Sequence, residues 1–184
     1  YKLLKIAFER FLRAEPDDFE AFCEKEADWL SDYALFMALK DANGGNAWFS
    51  WEKDLKMRKP EALAEARDTY AKDIRFYQML QYLFFKQWWE LKAYVNEKGI
   101  EIIGDVPIYV AGDSADVWAN PEELFLDEDL NPIDVAGCPA GAVFRGRTAL
   151  GQSVIPLGCD EEKRIHLVDE THCGNVEALR YCPD

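Results

Sequence analysis

The sequence predicts an α/β fold that is predominantly helical as it stands. Three observations carry this expectation. A helical apolar period runs from Pro60 to Gly99. The stretch that follows, Gly99 to Pro121, reads G-I-E-I-I-G-D-V-P-I-Y-V-A-G-D-S-A-D-V-W-A-N-P. Its Ile100, Ile102 and Ile103 read as a short buried strand. Gly104-Asp105 then puts a carboxylate where that strand ends, the place where binding and catalytic groups gather in α/β folds.

Taken in order, residues 1–43 read as helices. Leu3, Leu4, Phe8, Phe11 and Leu12 recur at helical spacing. Pro16 interrupts the pattern, and Asp17-Asp18 suit the start of a new helix. Phe19, Phe22 and Cys23 give it a short apolar face, and Trp29, Tyr33, Phe36, Met37 and Lys40 continue at spacings of three and four. Asn43-Gly44-Gly45 ends this run with residues that tolerate positive φ. Residues 46–59 read as a loop, whose Trp48 and Trp51 either stack on sugar rings or pin the loop to a core.

Pro60 opens a long helix and Gly99 closes it. Its stripe runs through Leu63, Arg67, Tyr70, Ile74, Tyr77, Leu80 or Gln81, Phe84, Trp88, Leu91 and Val95. Unbroken, it would be about 57 Å long at about 1.5 Å per residue. Met79, Leu83, Phe85 and Trp89 widen the apolar arc, so its end is expected between a sheet and other helices. Beyond Asp105, Pro107 stops the ladder, and Asp113 or Ser114 caps a turn or one short helix. Leu124-Phe125-Leu126 and Ile133-Asp134-Val135 flank a turn and read as a small hairpin. Asp127-x-Asp129-x-Asn131 is no calcium loop, because Pro132 stands where glycine is needed and Cys138 where glutamate is.

Composition narrows the function classes. The formal charge of −14 argues against nucleic acid and anionic membrane surfaces. A neutral polyol fits it. No apolar run approaches the roughly 20 residues of a membrane span. Tyr1 opens no signal peptide, and the absence of an initiator Met points to a fragment. Five cysteines without framework spacing point to a reduced, cytoplasmic chain.

The Gly99–Pro121 stretch resembles the signature of the 4-alpha-glucanotransferase family, the amylomaltases or disproportionating enzymes. These carry Ile-Gly-Asp-x-Pro-Ile-x-Val-Ala-x-Asp-Ser-Ala-Asp-Val-Trp-Ala-Asn-Pro. The likeness extends to Trp29-Leu30-x-Asp32-Tyr33-Ala34-Leu35-Phe36, Trp48-x-x-Trp51 and Phe84-Phe85-x-Gln87-Trp88, and downstream to about Pro139. The resemblance implies a fragment of a (β/α)8 TIM barrel with an inserted helical subdomain. It also implies transfer of α-1,4-glucan segments between maltooligosaccharides, starch or glycogen fragments, by a retaining two-carboxylate mechanism without a cofactor or metal. Among this chain's residues it points to Asp105, Trp118 and Asn120 as substrate-binding. Asp105 can instead hydrogen-bond loop amides, and Trp118 can be a packing anchor. Asp113, Ser114 and Asp116 read as capping and turn residues.

The pattern breaks after Gly137-Cys138-Pro139, where the family continues with a proline-rich loop and Gly-Gln-x-Trp-Gly-Asn-Pro. Residues 140–184 hold only Phe144 and Tyr181 as aromatics and show no convincing period. Back-translated and read one nucleotide later, Leu150-Gly151-Gln152-Ser153 with the first base of Val154 can spell Trp-Gly-Asn-Pro. Leu157 to Asp169, shifted likewise, can spell W-D-A-M-K-K-N-G-Y-x-W-W-M, which is similar to the family's own continuation. The expectation is an out-of-frame, disordered tail at 140–184. It follows a helical subdomain and loop at 1–59, and a long helix, strand, loop and hairpin at 60–139.

The family's nucleophile lies in an Arg-x-Asp-His motif, and Arg164-Ile165-His166 lacks the Asp. Neither catalytic carboxylate is therefore placed in this chain, and it is expected to be inactive and aggregation-prone alone. Two rival readings remain. One is a non-catalytic helical interaction domain. The other is a zinc-binding tail built on Cys159, His166, His172, Cys173 and Cys182, whose spacing matches no recurring zinc pattern.

Overall fold

The computed structural model describes residues 1–104, 110–123, 126–131, 133, 135–138 and 148–153. Its helices are α1 (Lys2–Phe11), α2 (Asp18–Lys25), α3 (Ala27–Ala42), α4 (Lys53–Lys56), α5 (Pro60–Thr69), α6 (Ala71–Glu97) and α7 (Ala115–Ala119). Its strands are β1 (Val110–Ala111), β2 (Val135–Cys138) and β3 (Thr148–Ser153). Two compact units result, one of Tyr1–Ala42 and Leu63–Asp105, the other of Asn43–Ala62 and Val106–Asp184.

The first unit is helical. Its core joins Phe8, Phe19, Ala34, Phe76, Tyr77, Met79 and Tyr82. Rings meet edge to face, as aromatic quadrupoles favour: Phe11 on Phe19 at 4.8 Å, Phe19 on Tyr82 at 5.3 Å, Phe8 on Phe76 at 5.4 Å. A polar rim closes this core. Arg75 donates to Glu15 at 2.7 Å and Glu20 at 2.8 Å, with its guanidinium 4.3 Å from the Phe19 ring centre. Tyr77 donates to Asp41 at 2.6 Å and Tyr82 to Asp18 at 2.7 Å. Burial, with these carboxylate acceptors, pushes both phenols above their ordinary range.

Several helix ends fall where residue chemistry puts them. Phe19 N–H bonds the carbonyl of Pro16 at the entry to α2, whose first turn holds Asp18 and Glu20. Gly44 and Gly45 follow α3 with φ of 66° and 80°, and Gly99 follows α6 with φ of 75°.

The helices also depart from the expected pattern. In α1 only Phe8 is buried, and Leu3 lies 82% exposed. In α3 the buried residues are Leu30, Ala34, Leu35, Phe36, Ala38 and Leu39, rather than a stripe through Trp29, Tyr33 and Lys40. Apolar residues fall on every side of Leu30–Leu39, so no single period describes its burial. The helix expected from Pro60 to Gly99 is two helices, divided at Tyr70, where φ is −105° and ψ 19°. The Asp68-Thr69-Tyr70 run, with its low helix propensity, gives way there. Residues 46–59 hold a 3-10 turn at Trp48–Ser50 and the short α4.

The largest correction concerns the strand expected at Ile100–Ile103. Residues 100–104 form neither strand nor helix, and Ile100, Ile102 and Ile103 are 55, 42 and 86% exposed. A strand exists only through a neighbour's ladder, and residues 100–104 pair with none of the described strands. Toward the end of α6, Phe84, Leu91 and Tyr94 are exposed.

The second unit carries the sheet, in order β1-β3-β2, antiparallel throughout. Val110 pairs with Ser153, and Gly137 with Ala149, with an irregularity between Val135 and Gly137. Its central strand thus lies at 148–153, in a segment whose sequence shows no period. In the turn before β2, Asp127 Oδ1 accepts from the N–H groups of Asp129 at 2.9 Å and Asn131 at 2.8 Å. This holds its carboxyl below the ordinary carboxylate range. Of the hairpin expected on either side, Leu124, Phe125 and Asp134 lie outside the described residues.

Candidate functional site

The polar loop of the signature stretch is built within the second unit, against the segment that carries Trp48 and Trp51. Ser114 is the N-cap of α7, and its Oγ accepts from Val117 N–H at 3.3 Å. This satisfies one of the donors that every helix start leaves open. Asn120 closes the other end: its N–H and its side-chain amide bond the Asp116 carbonyl at 2.9 and 3.3 Å.

Three tryptophans lock this loop in place. Trp48 is 1% exposed, and its Nε1 donates to the Gly112 carbonyl at 2.8 Å. Its backbone N–H donates to Asp113 Oδ1 at 3.3 Å. Trp118 is fully buried and donates from Nε1 to the Leu55 carbonyl at 3.1 Å. Trp51 meets Trp118 edge on at 5.7 Å and donates to the Asn46 carbonyl at 3.1 Å. The Arg58 guanidinium lies 4.3 Å from the Trp118 ring centre, within cation–π range. Arg58 reaches this place from a left-handed backbone, φ 52°.

Each indole N–H is therefore spent on a backbone carbonyl, and the Asp113 carboxylate receives a backbone N–H. Such bonds hold the shape of the loop. Of the two uses expected for Trp48 and Trp51, the structure has the pinning one. Trp118 lies buried against Trp51, Arg58 and the Leu55 carbonyl. Asn120 is half-buried at the end of α7. Asp105 lies outside the described residues. Among the described residues no cluster of His, Cys, Asp and Glu has metal-binding geometry. Leu55, Arg58 and Gly112 complete the cluster without a local signal in the sequence, because their partners lie about sixty residues away along the chain.

Comparison with known proteins places this arrangement. A family model described as 4-alpha-glucanotransferase matches residues 1–146. The 4-alpha-glucanotransferase of Clostridium butyricum is 46% identical over 158 residues, which are 85% of this chain and 32% of that one. The Thermus thermophilus 4-alpha-glucanotransferase is 51% identical over 140 residues, 74% of this chain and 28% of that one. Among solved structures, amylomaltase from Streptococcus agalactiae in complex with acarbose superposes with a TM-score of 0.77 at 39% identity. That match covers 84% of this chain and 32% of the amylomaltase. The chain thus spans about a third of the length of the relatives it matches. With the family model covering well over half of its residues, the chain belongs to the 4-alpha-glucanotransferase family.

Proposed function

We propose that this chain is a substrate-loop-bearing part of an enzyme that transfers α-1,4-glucan segments between glucan chains. The observation that carries the reading is the match to the family over residues 1–146, with the Trp48–Trp51–Trp118 cluster bracing the signature loop. The substrates are maltooligosaccharides or fragments of starch or glycogen, and the setting is cytoplasmic. No described helix is long and apolar enough to cross a membrane. The barrel, and the two carboxylates of a retaining mechanism, come from the part of a family member that this chain does not match. In that mechanism an Asp displaces the glucan leaving group and a Glu protonates it, then deprotonates the incoming 4-hydroxyl. Asp105 contacts the bound sugar. Trp118 and Asn120 act on it by holding the loop. The tail, expected out of frame from residue 140, is read so past the family match, which ends at residue 146, and the coding sequence would test this directly.

The enzymatic test uses maltotriose, with chromatography for glucose and longer maltooligosaccharides. The chain alone is expected to release neither. A hybrid in which residues 1–139 replace the matching stretch of the Thermus thermophilus enzyme is expected to form both. Trp118→Ala in that hybrid should lower turnover by up to about a hundredfold, as misplacement of a site by about 1 Å can do. A folded but inactive hybrid would refute the proposal.

A further inference from the structure

The turn that closes α4 is built on a residue that its backbone disfavours. Arg58 has φ 52°, in the left-handed region where a Cβ crowds the neighbouring carbonyl. At the ends of α3 and α6 the same need is met by Gly44, Gly45 and Gly99. The turn itself is a regular helix stop: Arg58 N–H bonds the Leu55 carbonyl at 3.2 Å, and Lys59 N–H bonds the Asp54 carbonyl at 2.9 Å. Glycine would make both bonds with less strain. A positive charge for the helix end does not require an arginine there either, since Lys53 and Lys56 supply it. The side chain has a different use. Its guanidinium lies 4.3 Å from the centre of the Trp118 ring. The same turn offers the Leu55 carbonyl to Trp118 Nε1 at 3.1 Å. The buried indole is thus held at its edge by the backbone of the turn and on its face by the arginine. A planar, weakly hydrated cation suits the second contact. Strain kept at one residue, where its neighbours' bonds are ordinary, points to a task for that residue.

We propose that Arg58 is a positioning residue for glucan transfer: stacked on Trp118, it fixes the place of α7 and of the signature loop around it. It acts through the indole rather than on the sugar. Arg58, Leu55, Trp118 and the loop all belong to the second unit, so the contact is internal to one compact body. The left-handed backbone is what brings the guanidinium over the ring, and this gives the strained conformation its use. The inference rests on the glucan-transfer reading above, but the arginine's hold on the loop can be measured without that activity.

The test sets Arg58→Gly, which keeps the turn and relieves its backbone, against the unsubstituted chain. Hydrogen exchange is followed by nuclear magnetic resonance at the Trp118 indole N–H and at the amides of Val117–Asn120. If Arg58 served the turn alone, glycine would leave exchange unchanged or slow it. The expected result is the opposite. Exchange at the indole N–H should rise about tenfold, as loss of one desolvated cation–π contact allows, while the thermal unfolding midpoint does not fall. In the Thermus thermophilus hybrid, Arg58→Gly should lower kcat/KM for maltotriose by about tenfold. Arg58→Lys, which keeps a cation without the planar face, should fall between the two. Unchanged or slower exchange in Arg58→Gly overturns the proposal, whether or not the hybrid is active. So does a lowered midpoint without faster exchange in the loop, and so does an Arg58→Gly hybrid that transfers glucan as well as the unsubstituted one. Faster exchange beside an inactive unsubstituted hybrid upholds the arginine's grip on the loop and counts against the glucan-transfer reading alone.

Discussion

The helical unit and the tryptophan-braced loop are held together by different physics. The helical unit buries Phe8, Phe19, Phe76 and Tyr82 ring against ring, and its polar bonds lie at the rim. The loop cluster buries three indoles whose N–H groups each satisfy a backbone carbonyl. Apolar packing is tolerant of detail, since rings can shift and refill space. Directed bonds to backbone carbonyls are not, because a buried acceptor without its donor has lost water for nothing. The first unit is thus built for stability and the loop cluster for one fixed shape.

The largest effect is expected at Phe19, which is fully buried among Phe11, Tyr82 and Arg75. Phe19→Ala should destabilise the helical unit by about 3–5 kcal/mol, the usual cost of removing a buried ring. Denaturant unfolding followed by far-ultraviolet ellipticity would measure it. Hydrogen exchange in residues 110–120 should remain as it was. Parallel loss of protection there would show the two units to be one cooperative body.

The converse perturbation is Trp48→Phe. It keeps most of the ring but removes the 2.8 Å bond to the Gly112 carbonyl. An orphaned buried acceptor costs about 1–3 kcal/mol. Exchange should accelerate across Val110–Asn120, with the protection of α1, α2 and α6 unchanged. An unchanged loop would mean that the indole acts by volume alone.

How much of this was legible in the sequence follows the same division. Helix ends at Gly44 and Gly99, the entry to α2 after Pro16 and the start of α5 at Pro60 are local chemistry, and the sequence displays them. Phe8 and Phe19 could be picked as core from spacing. The loop cluster could not be assembled that way, because Trp48 finds Gly112 and Trp118 finds Leu55 across more than sixty residues. Arg58 shows no signal, as its role depends on a left-handed backbone and a distant ring. The strand expected at Ile100–Ile103 failed for a related reason. Its composition was read correctly, but a strand also needs a partner, and composition does not say whether one is present.

A smaller test sharpens the role of local bonds within the second unit. Ser114→Ala removes the cap on the Val117 N–H at the start of α7. Caps contribute about 0.5–2 kcal/mol. In a five-residue helix this is enough to fray the first turn, whereas Trp118 should stay anchored to Leu55. Exchange at Val117 should rise while indole fluorescence from the buried cluster holds. A fluorescence change would show that the cap and the tryptophan anchors are coupled.

The smallest effect is expected at the Asp127 turn, whose Asp127, Asp129 and Asn131 are exposed and which is held by bonds within the turn. The bonds from Asn131 come first in holding the Asp127 carboxyl below its ordinary 3.8. A depressed carboxyl stabilises the turn above its ordinary value and loses that contribution as pH falls through the lower, folded one. The turn should therefore stay closed at neutral pH and open only in acid below 3.8. The amide signals of Asp129 and Asn131, which donate to Oδ1, should shift together in an acid titration followed by nuclear magnetic resonance. Asp127→Asn retains an acceptor oxygen but cannot ionise, so it should keep the turn and abolish the titration. If the amides of that variant still shifted in the same window, another carboxylate would be holding the turn, and the closed Asx geometry would not be the cause of its order.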